Sequence, residues 1–170
     1  MAGEPDNARV TIRPASNGDR AAIWQVLAPV FASGETYPLP RDIAADAALA
    51  YWLAPAHEVF VAEDGGTILG TYYMKANQPG AGDHVANCGY VTAPAAAGRG
   101  IASAMCRHSL DHAVSRGFRA MQFNFVVATN ERAVRLWQHL GFDIVGRLPG
   151  AFRHPARGFV DALVMFRTLP

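Results

Sequence analysis

Apolar residues in this chain follow two periods. Strand-like alternation marks residues 9–13, 58–63, 67–75, 85–92 and 119–127, with two further runs at 143–147 and 158–167. Helical spacing lies between them. Ile23, Val26, Leu27, Val30 and Phe31 follow the N-cap candidates Asn17 and Asp19, with Pro29 placed to kink or end that helix. Residues 34–40 carry Gly34, Pro38 and Pro40 and read as a loop, and residues 42–53 read as a second helix. Residues 100–116 form a third, closed by Gly117. Thr129-Asn130 leads into a fourth, whose Ala133, Leu136, Trp137 and Leu140 share one face before Gly141 stops it. Asp64-Gly65-Gly66 between alternating runs is a hairpin signal. Strands and helices mixed in this order predict an α/β (α+β mixed) fold, a mixed sheet covered by helices.

Length and composition narrow this picture. The 170 residues fit one domain, read as residues 9–170 after a tail of residues 1–8. Half the residues are apolar, enough for a sizeable core, and the net charge of +1 shows no basic stripe for nucleic acid. Glu4 and Asp6 in the first ten residues argue against a signal peptide, and no apolar run reaches membrane-spanning length. Cys88 and Cys106 match no zinc spacing, and His84, His108, His112 and His139 share no spacing with acids or cysteines, so no metal site is expected. These features point to the cytoplasm. The last strand is apolar on both faces from Val160 to Phe166 and needs cover from internal helices or a homodimer partner.

Residues 93–102 carry the most chemistry. Small residues around Gly98 and Gly100 let backbone approach a ligand, and a helix start offers unpaired N–H groups to a pyrophosphate. A Walker loop would need a Gly-Lys-Ser/Thr ending, which is absent. A dinucleotide fingerprint would need an acid about 20 residues on at a strand end, and residues 119–127 hold none.

The loop resembles the Arg/Gln-x-x-Gly-x-Gly/Ala signature of the GCN5-related N-acetyltransferase (GNAT) superfamily. Gly100 and Ala102 occupy its small positions, and Ala97 stands where Arg or Gln is usual. Residues 130–142 are similar to the family's second signature, ending in Leu140-Gly141-Phe142. The resemblance implies a mostly antiparallel sheet of about seven strands flanked by about four helices. It also implies direct attack of a small-molecule amine on the thioester of acetyl-CoA, held where strands 85–92 and 119–127 splay apart. Implied cofactor-binding residues are Tyr90, Val91 and Thr92 on the first of these strands. Ala97, Gly98, Arg99, Gly100, Ile101, Ala102 and Ser103 follow at the loop, and Asn130, Ala133 and Trp137 near the last helix. Trp137 fills the slot of the usual acidic tyrosine; indole donates a hydrogen bond but is no practical proton source, and a core anchor is the alternative role.

Asn87, Asn124 and Asn130, in their sequence contexts, resemble the branch that acetylates proline analogues such as azetidine-2-carboxylate. That assigns Asn87 and Asn124 to the substrate and Asn130 to catalysis, with helix capping as the alternative for Asn130. Glu35 and Tyr37, in a loop over the expected mouth, and Arg153, in a loop between the last two strands, are further substrate candidates. A protein or peptide acetyltransferase and a non-catalytic coenzyme A-binding regulatory module are the competing functions.

Overall fold

The computed structural model describes residues 10–170, so the expected tail of residues 1–8 lies outside the described residues. Seven strands form one sheet: β1 (Thr11–Pro14), β2 (Glu58–Asp64), β3 (Thr67–Ala76), β4 (Val85–Thr92), β5 (Ala120–Val127), β6 (Asp143–His154) and β7 (Gly158–Thr168). Their order is β1-β2-β3-β4-β5-β7-β6, and β4 with β5 is the sole parallel pair among them. Four α-helices accompany the sheet: α1 (Arg20–Ser33), α2 (Ala45–Trp52), α3 (Ile101–Ser115) and α4 (Glu131–His139). The architecture is the mixed, mostly antiparallel one expected.

Alternation along the strands divides the core into two layers. Tyr72 and Tyr73 are neighbours in β3 yet belong to opposite layers. Tyr72 faces α3 and α4, with Met105, Cys106, Leu110 and Trp137. Tyr73 faces α1 and α2, with Ile23, Leu27, Phe31 and Trp52. Gly70 permits close approach of α3 to β3: a Cβ there would lie 2.9 Å from Ile101 Cγ2 and from Met105 Cε.

Local departures from the sequence reading have visible causes. Helix α1 runs past Pro29 to Ser33, because Val26, Leu27 and Phe31 are buried and hold its last turn against the sheet. Residues 143–154 form one strand where the sequence reading ends a strand at Arg147 and places Arg153 in a loop. Gly146, Pro149 and Gly150 are absorbed by two register shifts on an edge strand, where a missing N–H is tolerated. Asp161 on β7 fastens this irregular stretch, accepting from the Gly150 N–H at 2.9 Å and the Arg147 guanidinium at 2.8 Å.

Candidate active site

The sheet opens at its parallel pair. β4 and β5 are in register only at Val85 with Ala120 and Ala86 with Met121. Both strands continue, to Thr92 and Val127, without pairing to each other. Asn87 sits at the parting point, 7% exposed, and its Nδ2 donates to the Gln122 carbonyl at 3.0 Å. The divergence leaves a cleft of about 800 Å³ between β4, β5, the start of α3, α4 and the loop after α1.

At one end of the cleft, the chain leaves β4 through a 3₁₀ turn over Pro94–Ala96. Gly98 (φ 81°) and Gly100 (φ 75°) adopt left-handed backbone that side-chain-bearing residues rarely take. Gly100 is the N-cap of α3, and no side chain caps that helix. The first-turn N–H groups of Ile101, Ala102 and Ser103 therefore lie at the cleft without intrahelical partners, an arrangement suited to an anion. The Arg132 guanidinium comes within 3.6 Å of the position a Cβ would take at Gly98. Small backbone, free N–H groups and a nearby cation fit a pyrophosphate.

Above the cleft, the loop after α1 is pinned in place. The Tyr37 hydroxyl donates to the Tyr90 carbonyl at 3.0 Å, while its ring packs on Phe31 at 5.2 Å and Trp52 at 6.1 Å. Arg41 Nε donates to the Ala32 carbonyl at 2.8 Å and ties the far side of the same loop to α1. Tyr73 lies across β4 where Gly89 makes room: a Cβ at Gly89 would stand 2.6 Å from its Cε1. The Tyr73 and Tyr51 hydroxyls are 3.3 Å apart. Burial pushes the hydroxyls of Tyr37, Tyr73 and Tyr90 well above the ordinary phenol range, so they remain protonated.

Trp137, 8% exposed, lies between the rings of Tyr90 (5.1 Å) and Phe123 (5.2 Å). Asn130 caps α4, its Oδ1 accepting from the Ala133 N–H at 3.4 Å. Asn124 is exposed, donates to Asn77 Oδ1 at 2.6 Å and accepts from Gln122 Nε2 at 2.9 Å.

The cleft thus gathers most residues singled out from the sequence. Of the expected cofactor residues, Arg99 alone is not in its lining; its guanidinium reaches back to the β2–β3 hairpin and pairs with Asp64 at 2.8 Å. Asn87, Asn124 and Tyr37 line the cleft, whereas Glu35 and Arg153 do not. Glu35 is exposed, and Arg153 lies 5.4 Å over the Phe159 ring at the end of β6. Lys75, Tyr51, Tyr73 and Arg132 also line the cleft and were not singled out. Alternation places Lys75 on the same strand face as Tyr73, two residues on, but its position opposite Asn87 is set by a strand register that no local pattern records. Among the described residues, no aspartate, glutamate or histidine lines the cleft, and no cluster of such side chains with cysteine is placed to hold a metal ion.

Known proteins resemble this chain in sequence and fold. A GCN5-related N-acetyltransferase from Kribbella flavida is 41% identical, and its structure matches with a TM-score of 0.91 over 95% of this chain and 99% of that one. N-acetyltransferase aca1 of Schizosaccharomyces pombe is 35% identical over 99 residues, covering 58% of this chain and 47% of the yeast protein. The chain thus spans about half the length of that curated relative. The fold recurs in a phosphinothricin acetyltransferase from Sinorhizobium meliloti in complex with acetyl-CoA. That protein is 23% identical, with a TM-score of 0.82 over 95% of this chain and 89% of that one. The profile of the acetyltransferase (GNAT) family matches residues 21–142. By that match, which spans more than half of its length, the chain belongs to the acetyltransferase (GNAT) family.

Proposed function

We propose that the acetyl acceptor is the amine of a small molecule, an amino acid of the proline-analogue type such as azetidine-2-carboxylate. The observation that carries this reading is the Tyr37 pin. By fixing the loop after α1 to β4 at the Tyr90 carbonyl, it narrows the side of the cleft where an extended peptide would have to lie. Asn87 and Asn124 also line the cleft, and their neutral amides repel neither a carboxylate nor an amine.

In this reading the pyrophosphate of acetyl-CoA rests on Gly98, Gly100 and the N–H groups opening α3, and Arg132 supplies the cation that Ala97 lacks. The acceptor nitrogen attacks the thioester carbonyl carbon directly; the C–N bond forms, the C–S bond breaks and the thiolate leaves. The backbone N–H groups of Tyr90 and Thr92, which alternate away from β3 towards the parted side, and the Asn130 amide donate to the pantetheine and the developing oxyanion, whereas the Val91 N–H faces β3. Among the described residues no carboxylate or imidazole lines the cleft, so the acceptor gives its first proton to solvent and enters as the free base. The second proton, shed by the nitrogen after attack, passes through water to the departing thiolate or to solvent. The domain works as a homodimer, whose partner covers the exposed apolar residues of β6 and β7.

A thiol-release assay with acetyl-CoA against amines, amino acids, proline analogues and short peptides tests the acceptor class. Small amino acids are expected to give the highest kcat/KM. Peptides turned over faster than every free amino acid would make this a protein acetyltransferase and end the small-acceptor reading.

A further inference from the structure

We infer that Lys75 forms a carboxylate subsite on the floor of the cleft and anchors the acid group of the acceptor. This rests on the small-acceptor reading above. Lys75 is the only lysine among the chain's fifteen Lys and Arg residues. It stands near the end of β3, on the same sheet face as Tyr73 and directly across from Asn87 on β4. It is half-buried and lines the cleft.

The polar groups around it each have at least one hydrogen bond within the protein. Asn87 donates to the Gln122 carbonyl at 3.0 Å, Asn124 to Asn77 at 2.6 Å, and Tyr51 and Tyr73 share a hydrogen bond of 3.3 Å. These amides hold the parted strands and the neighbouring turn. Lys75 has no hydrogen bond or ion pair among the described residues, whereas Arg13, Arg99, Arg116, Arg135 and Arg147 all pair with acids. The Lys75 charge is felt on this face: together with burial, the larger cause, it holds His57 below its ordinary value, and His57 stacks on Tyr73 at 4.1 Å.

An ammonium half-withdrawn from water and facing no acid attracts an anion. The phosphates of the co-substrate are too far to be that anion. Lys75 sits at the level of Asn87, five residues of β4 before Thr92, a distance of about 17 Å at the usual strand rise. The anion at this end belongs to the acceptor, and a carboxylate next to the reacting amine places the nitrogen towards the parted strands.

The test compares matched acceptors: L-azetidine-2-carboxylate, L-proline and L-alanine, each beside its own carboxamide, with acetyl-CoA and thiol release as the signal. Lys75→Met keeps the length of the side chain and removes its charge; Lys75→Arg restores the charge. For the acids, Lys75→Met is expected to raise KM about tenfold to a hundredfold, with kcat within about twofold. KM for the carboxamides stays at the wild-type value, which also shows that the variant is folded, and Lys75→Arg recovers most of the loss on the acids. Equal changes on acid and amide, or none on either, overturn the subsite while the small-acceptor reading stands. A wild-type enzyme that acetylates peptides and none of these small acceptors overturns both, and that failure is visible before any variant is made.

Discussion

Asn130 has two possible tasks on one side chain. Its Oδ1 caps α4 through the Ala133 N–H at 3.4 Å, and the residue also lines the cleft. The tasks separate by substitution. Asn130→Ala removes both and is expected to cost about 1 kcal/mol of stability. If the amide N–H acts on the transition state, the same variant loses saturating rate by more than its KM for acetyl-CoA rises. Asn130→Ser keeps a capping oxygen and lacks the amide donor, so it should recover the melting temperature and leave the rate low. A serine variant at full speed would reduce Asn130 to a cap. Trp137→Phe is the companion measurement. The indole packs between Tyr90 and Phe123, so phenylalanine should lose modest stability and keep most turnover. A folded but inactive Trp137→Phe would give the indole N–H a catalytic part. The glycine loop and the capping asparagine were legible because each is a local pattern of a few consecutive residues. Lys75 and Arg132 were not, because their relevance depends on which strand or loop stands opposite them. Arg99 shows the converse: it sits inside the loop motif, and a hairpin distant in sequence takes its side chain.

Between elements, a three-residue charge cluster joins β1, the turn before α1, and β2. Arg13 donates to Asp19 Oδ2 at 2.8 Å and Oδ1 at 3.0 Å, and to Glu63 Oε2 at 2.7 Å. Asp19 is 7% exposed and also accepts from the Ser16 N–H at 2.7 Å, closing a capping box before α1. Hydrogen bonds from Arg13 and then from Ser16 hold its carboxyl well below the usual carboxylate range, against the opposing effect of burial. A folded-state pKa below the unfolded one gives stability that is fully present above the unfolded value of about 4 and lost as pH falls through the folded one. Arg13→Met removes the main cause of that shift. The gap in melting temperature between wild type and Arg13→Met should be widest near neutral pH and shrink on acidification through the carboxylate range. A gap that stays constant down to about pH 3 would mean that Arg13 contributes packing and not charge. Elements were read well from period and poorly at their ends. Residues 42–44 carry Asp42 and helical spacing, yet α2 begins at Ala45. β6 runs through Gly146, Pro149 and Gly150, residues that locally signal a turn, because Asp161 on the neighbouring strand supplies hydrogen bonds that no local pattern records.

For the whole molecule, the uneven cover of the sheet decides the last question. Helix α1 packs on β3 and β4, and α3 packs on the opposite face of the same strands. In β7, Leu163 and Met165 enter the core beside α3 and α4, but Val160, Val164 and Phe166 are only half-buried. On the adjoining edge strand β6, Val145 is 59% exposed and Leu148 39%, and Phe159 at the start of β7 is 71% exposed. The cover that the apolar last strand requires is thus supplied from inside on one face and left incomplete on the other. A long edge strand carrying exposed apolar side chains invites uncontrolled pairing unless a defined partner occupies it. In the proposed homodimer a second copy of the chain would meet that need with the same patch on both sides of a two-fold axis. Sedimentation of the wild-type protein at micromolar concentration is expected to give a two-chain species, and Val145→Glu combined with Leu148→Glu is expected to give a single chain. Neither residue lines the cleft, so the separated chains should keep turnover within about twofold, the scatter expected of surface substitutions. A wild-type chain that sediments as a monomer at high micromolar concentration removes the dimer. A monomeric variant that is folded but inactive shows instead that the partner shapes the cleft from across the interface.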